Sequence, residues 1–321
     1  MKNKGQAGDE LSPRLLLLLS SVLNEEIDSV ISLKRGKWLV NTDTQGWFLK
    51  QYKSLDQLKK QMLICKALER RQFTHMISFH PASPIRFKQQ VFALMPYISP
   101  AKPALTFRTY KEREEALQLL SAFHQTAHSF KRGEVGNLPI FDQFAYWGER
   151  LKDFEQLIPR LSRFFPGKIL TRSLEMGEWA LQRADERFWQ QQKQVIVHGD
   201  VASHNFFRAA DRKLYLIDWD LAAFAPIASD YIQWINRVLP MVNWDMEELR
   251  KHAVLAPYVN DVKWLPFLLF PVDIFRECRR FMQLNSSYKK AAYTHAYDLT
   301  VRSFLKRERF FQKWKKEWED I

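Results

Sequence analysis

Cysteine is almost absent from this chain, with two residues in 321. Cys65 and Cys278 lie in separate apolar, helix-like segments and lack the paired spacing of a zinc ligand set or a disulfide framework. A reducing, cytoplasmic setting is therefore expected. Glycine (10) and proline (14) are scarce as well, which excludes a long disordered or fibrous stretch. No hydrophobic run approaches the roughly 20 residues of a membrane span. Leu15–Leu19 is only five residues long and Met1–Glu10 is polar, so neither an export signal nor a membrane span is expected.

Long basic blocks are also missing, although the net charge is +13. Residues 1–100 carry 15 Lys and Arg against 8 Asp and Glu, and the remainder 34 against 28, so the excess is spread along the chain. No basic and aromatic array of a nucleic-acid module is formed, and no nucleic-acid partner is expected. Positive potential serves a nucleotide-binding protein equally well. The hydrophobic share of 46% and charged share of 26% are those of a folded globular chain. Its length exceeds one typical core, which points to two lobes.

Ser12 and Pro13 are placed as N-cap and first residue of a short helix reaching Leu23. Ile27–Leu33, Trp38–Thr42 and Trp47–Tyr52 are rich in aromatic and branched residues, with turns at Arg35-Gly36 and Gln45-Gly46, and read as antiparallel strands. Leu58, Met62, Cys65 and Leu68 predict an amphipathic helix over Leu55–Arg71, N-capped by Ser54. Two further strands, Pro84–Phe87 and Val91–Met95, end at Pro96. The connector Tyr97–Pro100 marks a lobe boundary, with residues 1–97 before it and 98–321 after it. Beyond it the pattern is mainly helical, with helices expected over Tyr110–Phe130, Leu170–Gln191, Tyr231–Val238 and about His295–Trp318. One β-type region, Val195–Ile217, interrupts them: Asn205–Arg208 and Leu214–Ile217 flank the turn Ala209–Arg212. The fold class is α+β, a small sheet-rich lobe followed by a larger helical one.

Chemistry is concentrated around that hairpin. His198-Gly199-Asp200 is followed at Asn205 by a carboxamide and, past an apolar strand, by Asp218-Trp219-Asp220. Phosphoryl transfer to a hydroxyl needs one carboxylate to orient the attacking group and take its proton, with an amide oxygen and a second carboxylate holding Mg²⁺ on the phosphates. Strand-turn-strand geometry would return Asp218 to the edge from which Asn205 departs, so that Asp200, Asn205 and Asp218 converge. Taken singly, each is more simply a cap or turn residue. The joint spacing carries the reading.

At these residues the sequence resembles the aminoglycoside phosphotransferase and choline kinase family of the protein kinase-like superfamily, whose catalytic loop reads His-Gly-Asp, four residues, then Asn. The resemblance implies a two-lobed kinase-like fold, ATP and Mg²⁺ as cofactors, and a small hydroxylated substrate. It assigns Asp200 as catalytic base, His198 as a catalytic-loop organiser, and Asn205, Asp218 and Asp220 to the metal. Lys50, at the end of a strand, matches the lysine that contacts nucleotide phosphates. Phe92–Ile98, with Met95 and Tyr97, matches the hinge that contacts adenine. The chain departs from the pattern twice. Gln61 stands where a helix glutamate usually holds the lysine, with Glu69 less suitably placed, so Lys50 is expected to lack its charged partner. The phosphate loop Leu33–Trp38 holds one glycine, so Lys34, Arg35 and Lys37 either replace backbone amides with charge or form a solvated turn.

Within the superfamily the chain is most similar to the CotS-type spore coat branch, on Trp47–Tyr52, the Leu119–Gln125 helix and a Trp-rich second lobe. That likeness implies a sporulating Gram-positive source and deposition in the spore coat beside other coat proteins. Two readings follow, an ATP- and Mg²⁺-dependent small-molecule kinase or a coat interaction protein that keeps the fold with little turnover. Other constellations have simpler explanations. His124 and His128, four apart on one helix, and His198, Asp200 and His204 offer weak metal sets. Asp230 reads as a helix cap. Phe304, Phe311, Trp314 and Trp318 read as a packed stripe with the surrounding lysines solvated, in preference to membrane-surface binding.

Overall fold

The computed structural model describes residues 11–284 and 286–320. The polar start, on which the expected lack of a leader rests, lies outside them. The chain divides into two compact units: one holds the residues up to Leu105, Gln125–Leu138 and Ser203–Ala222, and the other holds Thr106–His124, Pro139–Ala202 and Ala223 onward. In chain order the elements are α1 (Pro13–Leu23), β1 (Ile27–Lys34), β2 (Lys37–Thr42), β3 (Gly46–Tyr52), α2 (Leu55–Arg70), β4 (Ile85–Phe87), β5 (Gln90–Pro96), α3 (Tyr110–Ala127), α4 (Gln143–Leu161), α5 (Gly167–Arg183) and α6 (Glu186–Gln190). They continue with β6 (Gln194–Val197), β7 (Phe206–Arg208), β8 (Leu214–Leu216), β9 (Ala223–Pro226), α7 (Ala228–Val238), α8 (Met246–Arg250), α9 (Ala256–Val259), α10 (Leu265–Leu269), α11 (Val272–Gln283), α12 (Ser286–Tyr297) and α13 (Phe304–Glu319).

In the first unit β1 to β5 form a five-stranded antiparallel sheet in the order β1-β2-β3-β5-β4. Alternation assigns its two faces. Trp38, Val40, Trp47, Leu49, Phe92 and Leu94 point to one side and bury against Leu15, Leu19 and Leu23 of α1. Ser12 accepts a bond from Leu15 N–H at 3.3 Å, so the N-cap and Pro13 start α1 where the sequence predicts. The intervening residues Lys37, Phe48, Lys50, Tyr52 and Met95 face the other side and line a cavity. There Leu58 of α2, capped by Ser54 at 3.2 Å, packs with Tyr52 and Ala93. The β7–β8 hairpin joins this unit through backbone bonds from Leu216 N–H to His75 O and from Ala210 N–H to Ser99 O, both 2.8 Å.

The second unit is mainly helical. α4 packs on α5 and α11, with Trp147 stacked on Phe270 at 4.3 Å and Phe154 against Phe275 at 4.4 Å. Gly177 of α5 allows this approach, because a Cβ there would lie 2.7 Å from Leu151 Cδ1 and 2.8 Å from Phe275 Cζ. β6 pairs antiparallel with β9, so Val195–Val197 is no part of the predicted hairpin. The helix expected over Leu170–Gln191 is two helices: Ala184 is extended (φ −63°, ψ 125°), and Asp185 caps the second at Phe188 N–H. The terminal helix is divided by a π-helical turn, Asp298–Arg302. Phe310, Phe311 and Trp314 are buried, and so is Arg307, which pairs with Asp273. Among the described residues, no helix is long and apolar enough to cross a membrane.

Candidate active site

The cavity of the first unit holds about 350 Å³, within the range of small-ligand pockets. Its apolar wall comes from the sheet, the segment after β5 and the β7–β8 hairpin, including Phe48, Met95, Tyr97, Phe207 and Leu216. Its polar end is built by alternation: Lys50, between Leu49 and Gln51 on β3, projects on the cavity side. Lys50 Nζ lies 3.1 Å from Asp218 Oδ1 and 3.9 Å from Asp220 Oδ2. Tyr52 places its ring 4.7 Å from the same ammonium.

The lysine is therefore not left without charged partners, as the missing helix glutamate suggested. The carboxylates come from the segment after β8. Gln61 bonds Asp220 instead of Lys50: its amide donates to Asp220 Oδ1, and Tyr52 Oη donates to Gln61 Oε1 at 3.5 Å. A neutral amide can donate to a carboxylate where a glutamate would repel it. Lys60 Nζ donates to Asp220 backbone O at 3.3 Å, which fixes the same turn from α2. Asp218 adopts a left-handed backbone, φ 70° and ψ 66°, at the entry to the 3₁₀ turn Trp219–Leu221. For a residue with a side chain this is strained, and such strain clusters at functional sites.

Burial and charge separate the two carboxyls. Burial raises Asp218, but the Lys50 charge and hydrogen bond outweigh it and leave its pKa below the ordinary value. Asp220 stays above its ordinary value through burial and the neighbouring Asp218 charge, which Lys50 only partly offsets. Burial, then the nearby Lys50 charge, lowers Lys37. Of the cations around the β1–β2 turn, Lys37 lines the cavity, while Lys34 and Arg35 are exposed. Gly36 turns the chain with φ +74°, and its carbonyl accepts from Gln51 N–H at 2.8 Å.

Asn205 is buried in the first unit, in the 3₁₀ turn Ser203–Asn205 that precedes β7, so it does not open the strand as the sequence suggests. Its carbonyl accepts from Ile217 N–H at 3.0 Å, tying the turn to the residue before Asp218. Met95 and Tyr97 line the cavity. Tyr97 commits its own N–H to Gly46 O at 2.9 Å.

His198 and Asp200 belong to the second unit. His198 is fully buried, and its Nδ1 accepts from Asp200 N–H at 3.3 Å. Asp230, on α7, does not cap its helix. Its carboxylate accepts from His198 N–H (2.8 Å), Gly199 N–H (2.9 Å) and His124 Nε2 (2.9 Å). Burial acts to raise this carboxyl, but the His124 hydrogen bond and neighbouring charge prevail and lower it. One turn later Gln233 brackets the same loop, accepting from Val201 N–H at 2.8 Å and donating to Gly199 O at 2.9 Å. Arg237, a further turn on, meets Asp200 Oδ1 at 2.6 Å. The spacing 230, 233 and 237 is the i, i+3, i+7 of one helix face. His124 thus has Asp230 as partner, and His204 is exposed on the other unit.

Among the described residues, no group of three or more His, Cys, Asp or Glu side chains is arranged to hold a metal ion. Asp218 and Asp220 nevertheless supply hard oxygen donors, and burial together with the Asp218 charge raises Asp220, a like-charge repulsion that a divalent cation would relieve. Such a pair fits Mg²⁺, which binds through one or two carboxylates together with substrate phosphates.

A small antiparallel sheet with one main helix, together with a mainly helical portion, defines a protein kinase-like two-lobed fold of the α+β class. The chain belongs to the phosphotransferase enzyme family, whose profile matches residues 34–255. Solved structures share the fold. An aminoglycoside phosphotransferase from Alicyclobacillus acidocaldarius matches with a TM-score of 0.72 at 16% identity over 100% of both chains. A spectinomycin phosphotransferase in complex with ADP and spectinomycin matches with a TM-score of 0.64 at 13% identity, over 95% of this chain and 99% of that one. A GDP and kanamycin complex of APH(2'')-IIIa matches with a TM-score of 0.62 at 14% identity, over 91% and 98%. No curated protein matches the sequence.

Proposed function

We propose that the protein transfers the γ-phosphoryl group of ATP to a hydroxyl of a small molecule. The observation that carries this reading is the Lys50–Asp218–Asp220 constellation at one end of an otherwise apolar cavity, in a chain of the phosphotransferase family. Similar structures solved with ADP and GDP support nucleotide use. We place the base against the Met95–Tyr97 segment and the phosphates at Lys50, with residues 1–97 as the nucleotide-binding lobe and 98–321 as the catalytic and substrate lobe. Asn205, Asp218 and Asp220 would hold Mg²⁺, which when bound neutralises charge on the β- and γ-phosphates.

Asp200 is the proposed general base. As the acceptor oxygen bonds to the γ-phosphorus, the bond to the β,γ-bridging oxygen breaks. ADP leaves with that electron pair and the acceptor proton passes to Asp200. His198, Asp230 and Gln233 hold the loop that carries this carboxylate. ADP release with Mg²⁺ and ATP tests the assignment. Asp200→Asn should lower it about 10²- to 10⁴-fold while nucleotide still binds. Lys50→Met should lower it about 10²- to 10³-fold with weaker nucleotide binding. Equal rates in both variants and wild type would remove the reading.

The CotS-type likeness supports a link to sporulation and a place in the spore coat. The glycine-poor turn, with Lys34 and Arg35 exposed, favours a second reading: a coat interaction protein with little turnover. It predicts coat assembly indifferent to Asp200→Asn, whereas an enzymatic role predicts a coat defect in that variant.

A further inference from the structure

In the second unit Asp200 meets Arg237, a positive charge that the catalytic assignment does not use. Arg237 reaches Asp200 through Nη2 alone, and its Nε is buried without a hydrogen-bond partner. From α11, which packs against α7 and α4, Arg276 presents a guanidinium held by Glu277 at 2.9 Å, with Arg280 one turn away at 3.6 Å from the same carboxylate. Arg237 feels its neighbours: burial first and then the Arg276 charge pull it down to about 10, with Asp200 and Glu277 offsetting only part. Three arginines on α7 and α11 thus share two carboxylates, and one of those is the proposed base, which must turn to a substrate hydroxyl.

We propose that the acceptor is an anionic hydroxy compound, whose phosphate or carboxylate is held by Arg237 and Arg276 while its hydroxyl meets Asp200. This rests on the phosphotransferase reading for the role of Asp200. A planar guanidinium pairs with an oxyanion through two parallel N–H bonds, and an anion here relieves the like-charge crowding of Arg237 and Arg276. A polycationic acceptor such as kanamycin would add to that crowding and is disfavoured. The chain thus keeps the family fold while selecting acceptors of opposite charge to an aminoglycoside.

Calorimetric titration without nucleotide tests the site, using two matched series at millimolar concentration: glycerol, glycerol 3-phosphate and glycerate, then glucose, glucose 6-phosphate and gluconate, with kanamycin as the polycation. At least one anionic member should bind about tenfold or more tightly than its neutral parent, and whether phosphate or carboxylate wins identifies the oxyanion. Arg276→Gln and, independently, Arg237→Gln should reduce that preference, whereas exposed Arg187→Gln retains it. With ATP and Mg²⁺, the loss in Arg276→Gln should fall on KM for the anionic acceptor more than on kcat. Undetectable binding of every anionic member, tighter binding of kanamycin, or a preference that survives both substitutions overturns the proposal. The two readings fail separately. Anion binding without ADP release sinks the kinase reading and keeps the site, whereas ADP release driven by kanamycin alone keeps the kinase and sinks the site.

Discussion

Asp230 ties the His198–Asp200 loop to α7, because one buried carboxylate accepts from two consecutive backbone N–H groups of the loop and also from His124. Replacing it with Asn leaves a buried donor facing donors, so Asp230→Asn should destabilise the fold by about 3–5 kcal/mol, measured by urea unfolding near neutral pH. Its pKa is lowered in the folded state. The stabilisation is therefore fully present above the unfolded carboxyl pKa of about 4 and is lost as pH falls through the lower folded value. The stability gap between wild type and Asp230→Asn should narrow from pH 5 toward pH 3, and a gap independent of pH would contradict the assignment. Asp200, Asn205, Asp218 and Asp220 can be nominated from the sequence because their residue types fall at fixed spacing around one hairpin, whereas Lys50, on a distant strand, is nominated only through the family resemblance. Asp230, Gln233 and Arg237 cannot, since their partners in the loop lie 31 to 37 positions away and helix periodicity does not reveal what a face touches. The role of Gln61 is hidden for the same reason: its partner Asp220 is 159 positions distant.

At the scale of elements, the first unit is the most legible. β2 alternates throughout and β3 through Lys50, and Ser12 and Ser54 mark the starts of α1 and α2 with side-chain caps. α4 is not legible because its buried positions, Gln143, Trp147, Phe154 and Leu161, begin with a polar residue and recur mostly once in two turns, while Pro159 inside the helix mimics a stop. The helix predicted through Gln191 runs on because Ala184 and Asp185 carry no strong breaker, although Asp185 is a good cap. Two glycines test the packing of α4, α5 and α11. A Cβ at Gly177 would collide with Leu151 and Phe275, whereas one at Gly148 meets nothing within 4 Å. Gly177→Ala should cost about 1–3 kcal/mol, while Gly148→Ala should gain about 0.5–1 kcal/mol. Chemical denaturation of the pair checks the sign, and a gain at Gly177 would refute the close approach.

For the whole molecule, the +13 charge is spread along the sequence, as no single basic block exists to concentrate it. Part of it gathers at the two places where phosphoryl chemistry would use it: Lys37 and Lys50 on the cavity of one unit, and in the other Arg237, which meets Asp200 and feels the Arg276 charge. Composition alone cannot separate that arrangement from a general affinity for polyanions. The most direct measurement is a thermal and calorimetric titration of the full chain with ATP and Mg²⁺ beside Asp218→Ala. Wild type should bind and gain about 2.7 kcal/mol of stability at a nucleotide concentration one hundred times Kd, and the variant should lose most of that gain. No binding to wild type at millimolar nucleotide, or equal binding to both proteins, would contradict a nucleotide site built on Lys50 and Asp218.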